Sequence, residues 1–328
     1  MLAAAVALAA AGCSSAAAPA KAAAGTTHAL TLAEARSIFS SYVARSTAAA
    51  EQGDAAKGLP LAGDMQWAIL HAQYTALDTA HAPVAQYRYG TPVFYVPAFA
   101  GYPLWFMVAV PVTTDTGGQL GPAVTTLMVF QRYTPSRTWT LNGSVVLDKP
   151  LPAIQLDRDG YAVAVGDADP SLLLPPDLVG ATQAAVVDEG PTAPAAAVIG
   201  AGPQTTGLYT TQDAQGNSAA AHGLNYQWLL QGASYAQYEL AAAGGGALVL
   251  YSMYLNTQLE HPGNLAGPPI PAPANFVPLI TTPAKAGPHG VVENWTYEFA
   301  AVDPPQTAQG AKVEVIGGRG APTYGKPY

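Results

Sequence analysis

Cys13 is the single cysteine of this 328-residue chain, and its neighbours decide what chemistry it can do. The run from Met1 to Ala11 is apolar and Ala-rich, and it ends in Ala10-Ala11-Gly12-Cys13. An apolar core of about 7–15 residues followed by small residues marks a secretory signal. With a cysteine directly after the small residues, it has the form of a bacterial lipoprotein signal. Ala10 stands where Leu is usual, three before the cysteine, and no Lys or Arg precedes Lys21. The competing reading is a cleaved signal peptide with an incidental cysteine. A lone thiol excludes an internal disulfide, and left free it is a liability in an oxidising compartment. Lipidation consumes it. A single acyl chain binds a bilayer marginally, at about 0.8 kcal/mol per buried CH₂, so the two or three chains of a lipoprotein cysteine hold durably. The expectation is lipidation at Cys13 and a body held at the extracytoplasmic face of the cell membrane.

Other reactive groups form no known constellation. Gly-x-Ser-x-Gly is missing, and so is Ser-x-x-Lys with its supporting motifs. The six histidines are His28, His71, His81, His222, His261 and His289, and none belongs to His-Glu-x-x-His. His71, Asp78 and His81 are close in sequence, but Asp78 and His81 fall near an expected helix end, where capping explains them. Gly244-Gly245-Gly246 and Gly317-Gly318-Arg319-Gly320 lack the Gly-Lys-Ser/Thr of a phosphate loop and read as tight turns. Asp157-Arg158-Asp159-Gly160 has the start of a calcium loop without its later ligands, and reads as an Asp-Gly turn. Glu239, Glu293 and Glu298 lie on expected strands. They could enter a curled sheet as acid/base groups, though Glu on a strand ordinarily faces solvent. Trp67, Trp105, Trp139, Trp228 and Trp295 could line an apolar or sugar-binding pocket, or serve the core. No catalytic, metal or cofactor-binding residue is assigned, and no cofactor is expected.

Composition narrows the partners. Half of the residues are hydrophobic and only 10% are charged, against roughly 25% in ordinary soluble domains. Acids outnumber Lys and Arg by 21 to 13, and no basic run exists. The footprint of a nucleic-acid binder is missing, as is a polybasic patch for anionic lipid.

The elements that must position these groups can be read in order. Residues 13–28 are rich in Ala, Ser, Pro and Gly and form a flexible tether of roughly 20 Å as a coil. Thr31-Leu32-Ala33-Glu34 fits a capping box. Leu32, Ala35, Ile38, Phe39, Tyr42 and Val43 then follow at helical spacing. A second helix is expected from Asp64, as N-cap, to Leu77. Strands are expected at 93–96, 102–114, 124–133 and 138–147. Leu104 to Val110 is apolar at every position. A sheet with a wet face would alternate, so this strand must be covered on both sides. One cover is the helices. The other is the second half of the chain, a partner or a ligand.

The second half repeats the order. Pro175-Pro176-Asp177 opens a helix, and a helical piece follows near 205–212. Strands are expected at 225–230, 235–240, 247–255, 293–302 and 311–316, with a long Pro/Gly loop over 261–289. The architecture expected is α+β: two tandem cystatin/NTF2-like units, each with helices packed on an antiparallel sheet. Residues 1–12 are the signal peptide, 13–28 the tether, 29–150 the first unit, 151–174 a linker and 175–328 the second unit.

Several segments carry a resemblance. They are Phe94-Tyr95-Val96-Pro97, Tyr102-Pro103-Leu104-Trp105-Phe106, Leu156 to Tyr161, Thr205-Thr206-Gly207-Leu208-Tyr209, Ala300 to Pro305 and Lys312 to Gly317. In these the chain resembles uncharacterised actinobacterial lipoproteins, over nearly the whole length after the signal. Leu104 departs from the Arg that the resemblance leads one to expect between Pro and Trp. The resemblance implies location and anchoring and supplies no active residue. The function expected is a lipid-anchored envelope binding or structural module, with a protein partner or a small apolar ligand. The alternatives are a small-molecule enzyme with an acid/base pocket in an NTF2-like cone, and an interaction scaffold for envelope machinery.

Overall fold

The computed structural model describes residues 28–116 and 119–328. Cys13, the signal segment and nearly all of the tether lie outside the described residues.

The first half opens with α1 (Leu32–Gln52), α2 (Ala55–Gly58) and α3 (Asp64–Ala80). The capping box forms as expected. Glu34 N–H donates to Thr31 Oγ1 at 3.2 Å and Thr31 N–H donates to Glu34 Oε2 at 2.8 Å. Gly53 closes α1 in the left-handed region at φ 61°, where a Cβ is disfavoured. Asp64 differs from its expected role. Gly63 is the N-cap of α3, and Asp64 is its first helical residue. The Asp64 carboxylate is engaged elsewhere, accepting from Tyr133 Oη at 2.7 Å and from Asn142 Nδ2 at 2.6 Å.

Strands β1 (Gln86–Tyr89), β2 (Val93–Tyr95), β3 (Leu104–Thr116), β4 (Gln119–Leu120), β5 (Val124–Arg132) and β6 (Thr140–Val146) form one antiparallel sheet with the order β1-β3-β5-β6. The second half supplies α4 (Pro176–Glu189) and α5 (Thr206–Ala221). Its strands are β7 (Asn225–Gly232), β8 (Tyr238–Ala241), β9 (Ala247–Glu260), the short pair β10 (Ile270–Pro271) and β11 (Ala286–Gly287), β12 (Gly290–Asp303) and β13 (Glu314–Pro327). Here the antiparallel order is β13-β12-β9-β7. Both sheets are meanders that follow helices. In both, two short strands lie end to end along one long strand. β1 pairs with residues 112–115 of β3 and β2 with 107–109. β7 pairs with residues 253–260 of β9 and β8 with 247–250.

The sheets stack face to face, with α1 on the outer face of the first, α4 and α5 on the outer face of the second, and α3 packed against β6, β12 and β13. Leu104, Phe106, Val108 and Val110 pack toward Ala35 and Phe39 of α1. The alternate residues Trp105, Met107 and Ala109 share a core with Leu248 and Leu250 of β9. On the outer side of β9, Val249, Tyr251 and Met253 meet Val179, Val186 and Val187 of α4. The second cover of the unalternating Leu104–Val110 run is therefore the second sheet. Each large side chain so buried contributes roughly 1.5–3 kcal/mol. Residues 151–174 lie on this stack as well, with Ile154 and Ala162 in the core between the sheets.

Two glycine runs part company. Gly244, Gly245 and Gly246 form the turn before β9, all at positive φ. Gly317 to Gly320 is no turn but lies within β13. A Cβ on Gly317 would stand 2.4 Å from the Val146 carbonyl oxygen, and one on Gly320 2.4 Å from the Tyr297 ring. These glycines permit close approach, which a strand interior also uses them for. The loop over 261–289 is folded down, with Ile270, Phe276 and Ile280 buried. Among the described residues no helix is long and apolar enough to cross a membrane.

Candidate ligand-binding hollows

Each half has a hollow. The first cavity lies between α1, α3 and strands β1, β3, β5 and β6, and the second beneath α5 over β7, β9 and β12.

The first hollow is narrow, with a volume of about 80 Å³. Tyr42 of α1, Gln66 and Ile69 of α3, Tyr87 and Tyr89 of β1 and Ser144 of β6 line it. Arg319 reaches in from β13 and donates to Tyr87 Oη at 2.7 Å, with its guanidinium 5.5 Å from the same ring centre. Glycines flank Arg319 on both sides, so it is the only side chain of that run to project. Glu298 lies behind Gln66 and Ser144 and has no exposed surface. Its Oε2 accepts from Ser144 N–H at 3.0 Å and from the Gln66 amide. Its Oε1 has no hydrogen-bond partner among the described residues. Burial pushes the carboxyl up to about 8, against the pull of the Ser144, Gln66 and Arg319 contacts. The shift favours the protonated carboxyl near neutral pH, the form that can donate a proton. Burial likewise raises the phenols of Tyr42 and Tyr89.

The second hollow is wider, about 410 Å³, within the range of roughly 300–1,000 Å³ typical of small-molecule sites. Tyr226, Trp295, Tyr297 and Phe276 supply aromatic surface, and Gln212, Gln215 and Asn275 supply amides. Phe276 meets Trp295 edge to face at 5.4 Å, and Tyr226 Oη donates to Gln212 Oε1 at 2.7 Å. Glu293 stands on the wall, accepting from Thr257 Oγ1 at 3.2 Å, and burial raises its carboxyl. His222 is at the rim, its Nδ1 2.8 Å from the Ser218 carbonyl.

The three strand acids therefore turn inward rather than to solvent. Glu239, Glu293 and Glu298 are all buried. A sheet covered on both faces has no wet side to offer them, and period-2 reasoning assumes one. Burial, with Asp167 and Asp177 adding like charge, pushes Glu239 up to about 8 as well. His71, Asp78 and His81 do not converge on a site. His71 stacks on Trp67 at 4.8 Å, and His81 is the left-handed C-cap of α3 at φ 53°. Asp157 forms the expected turn, its Oδ1 accepting from Asp159 and Tyr161 N–H groups at 2.9 Å. Arg319, Tyr87 and Gln66 escaped the sequence reading. The one signal for them was a single long cation set among three glycines.

Residues 26–326 match the model of a family described as "Domain of unknown function (DUF8094)", and the chain belongs to that family. It is also similar to an "Uncharacterized lipoprotein" of Streptomyces avermitilis, 24% identical over 202 residues, 60% of this chain. The match spans 56% of that relative's length. No solved structure matches the chain.

Proposed function

We propose that this chain is a lipid-anchored binding protein of the cell envelope, built from two tandem cystatin/NTF2-like units, with its ligand in the hollow of the second. The matching order of helices and strands in the two halves, and a hollow in each half against α3 or α5, support the tandem reading. The small-residue run ending at Cys13, and the lipoprotein similar to this chain, support an anchor on Cys13 and a place on the extracytoplasmic face. The observation that carries the binding role is the second hollow itself. Aromatic rings beside amides and one carboxyl suit a small ring-shaped ligand with an apolar face and hydroxyl groups, such as a sugar. Rings cover the apolar face, and the amides bond the hydroxyls in directions that fix the pose.

Indole fluorescence tests this against a panel of mono- and disaccharides, with Trp295→Phe and Gln212→Ala for comparison. Saturable quenching that both substitutions weaken supports the reading; no saturation with any sugar rejects it. The anchor is tested separately. Labelled palmitate should enter the wild type and not Cys13→Ala.

A second reading has one observation of its own. Burial raises the Glu298 carboxyl to about 8, its Oε1 has no hydrogen-bond partner among the described residues, and it lies behind Gln66 and Ser144 of the first hollow, where a substrate that displaced the Gln66 amide would meet a general acid/base. Turnover of a small substrate that Glu298→Gln abolishes would establish it.

A further inference from the structure

The groove between α1 and the turn joining β5 to β6 gathers three arginines and, among the described residues, no acid. Arg45 of α1, Arg132 at the end of β5 and Arg137 in the turn line a cavity of about 420 Å³. In a chain with 13 Lys and Arg and a net charge of −8, that convergence needs a physical reason. Ser37, Ser41 and Arg45 recur every four residues, which places them along one stripe of the helix. Trp139 supplies an apolar flank on the other side.

Arg132 is held in place. Its Nε donates to the Arg137 carbonyl at 2.8 Å, a second nitrogen donates to the Pro135 carbonyl, and the guanidinium lies 5.6 Å from the Tyr102 ring centre. Among the described residues, Arg45 and Arg137 pair with no carboxylate. The ion pairs among the described residues use Lys57, Arg88, Lys149 and Arg158 instead. Three like charges around one groove repel each other, and an anion between them removes that cost. A guanidinium presents a planar fork of donors that matches phosphate oxygens two at a time.

We propose that this groove binds a phosphate group, with Arg45 and Arg137 as its forks, Ser37 and Ser41 as further donors, and Trp139 against the group that carries the phosphate. The ligand is a phosphate ester, either soluble or the headgroup of an anionic lipid. The site is separate from both hollows and does not depend on what they bind.

The test uses the full chain with Cys13→Ala, so that no acyl chain contributes to membrane binding. Inorganic phosphate, glycerol phosphate and citrate are titrated at constant ionic strength, with the melting temperature as readout. Flotation with phosphatidylglycerol vesicles is compared with flotation on phosphatidylcholine. The expected result is a saturable response to glycerol phosphate, to phosphatidylglycerol vesicles, or to both. Arg45→Gln and Arg137→Gln should each weaken it about tenfold, since a charge-assisted hydrogen bond is worth about that much. Both side chains are exposed, so the variants should keep the far-UV spectrum of the parent. Response to the soluble ester identifies a soluble phosphate, and response to vesicles alone identifies a lipid headgroup. The proposal is overturned if no phosphate probe saturates, if citrate binds equally well, or if the double variant binds like the parent.

Discussion

Glu298 and Arg319 stand directly opposite each other on β12 and β13, yet each bonds to a different strand. Arg319 donates to Tyr87 of β1, while Glu298 accepts from the Ser144 backbone of β6. The two partners belong to the first sheet, and the acid and the base to the second. This cross-strand pair therefore ties the halves together. Burial outweighs the opposing pull of the Arg319 charge, so the carboxyl is held well above its ordinary range.

Stability should fall as pH rises through the interval between about 4.5 and 8. Glu298 is held near 8 in the folded chain against 4.5 as its ordinary value. In that interval the folded state keeps a proton that the unfolded state has released, so ΔG of unfolding declines with pH. Glu239 acts in the same direction, with its carboxyl also near 8. Urea unfolding at pH 6 and pH 8.5 measures the decline. Glu298→Gln should flatten the curve and make the variant relatively more stable at the higher pH. An unchanged slope in that variant would remove Glu298 from the account.

Gly317→Ala should cost about 3 kcal/mol. Overpacking costs about 1–3 kcal/mol and more where nothing can move. Here the added methyl meets the Val146 carbonyl at 2.4 Å and Leu147 Cα at 2.9 Å, both backbone atoms. Gly101→Ala is the control, since open space surrounds that position. Thermal melts of the two variants should separate clearly.

Asn142→Ala should destabilise by about 1–3 kcal/mol, the cost of stranding buried polar partners. The Asn142 amide donates to Asp64 at 2.6 Å and to Gln131 Oε1 at 3.1 Å, and Tyr238 Oη donates to the same Gln131 oxygen at 2.7 Å. The network spans α3, β5, β6 and β8, so its loss should also speed hydrogen exchange at the start of α3.

Leu250→Ala should cost about 2–5 kcal/mol, as large-to-small changes in a core do. Leu250 is buried between the sheets and packs over Gly143 so closely that a Cβ there would lie 2.9 Å from its Cδ2. Because that core is shared, both halves should unfold in one transition, in the parent and in the variant. Tryptophan fluorescence and far-UV circular dichroism with different midpoints would show two independent units.

Much of the scaffold was legible in the residue order. The Thr31–Glu34 capping box fixed the start of α1, and apolar spacing located most of the helices and long strands. Those signals are local, since they depend on hydrogen bonds and side chains a few residues apart. The unbroken run from Leu104 to Val110 even announced that both faces of β3 are covered. It could not name the second cover, because Leu248 and Leu250 lie more than a hundred positions away.

Sequence by itself determined the α+β order, the repeat of helices before strands, and the lone cysteine behind its small residues. Tertiary structure alone decided where the polar groups go. Strand periodicity could not tell that Glu239, Glu293 and Glu298 point inward, since the first sheet covers Glu298 while the helix-side layer and the 261–289 loop cover the other two. Nor could spacing show that Gly317 and Gly320 serve close contact rather than a turn, or that Arg45, Arg132 and Arg137 meet in one groove. Charge acts through space. Residues far apart along the chain become neighbours only when the two meanders close on each other.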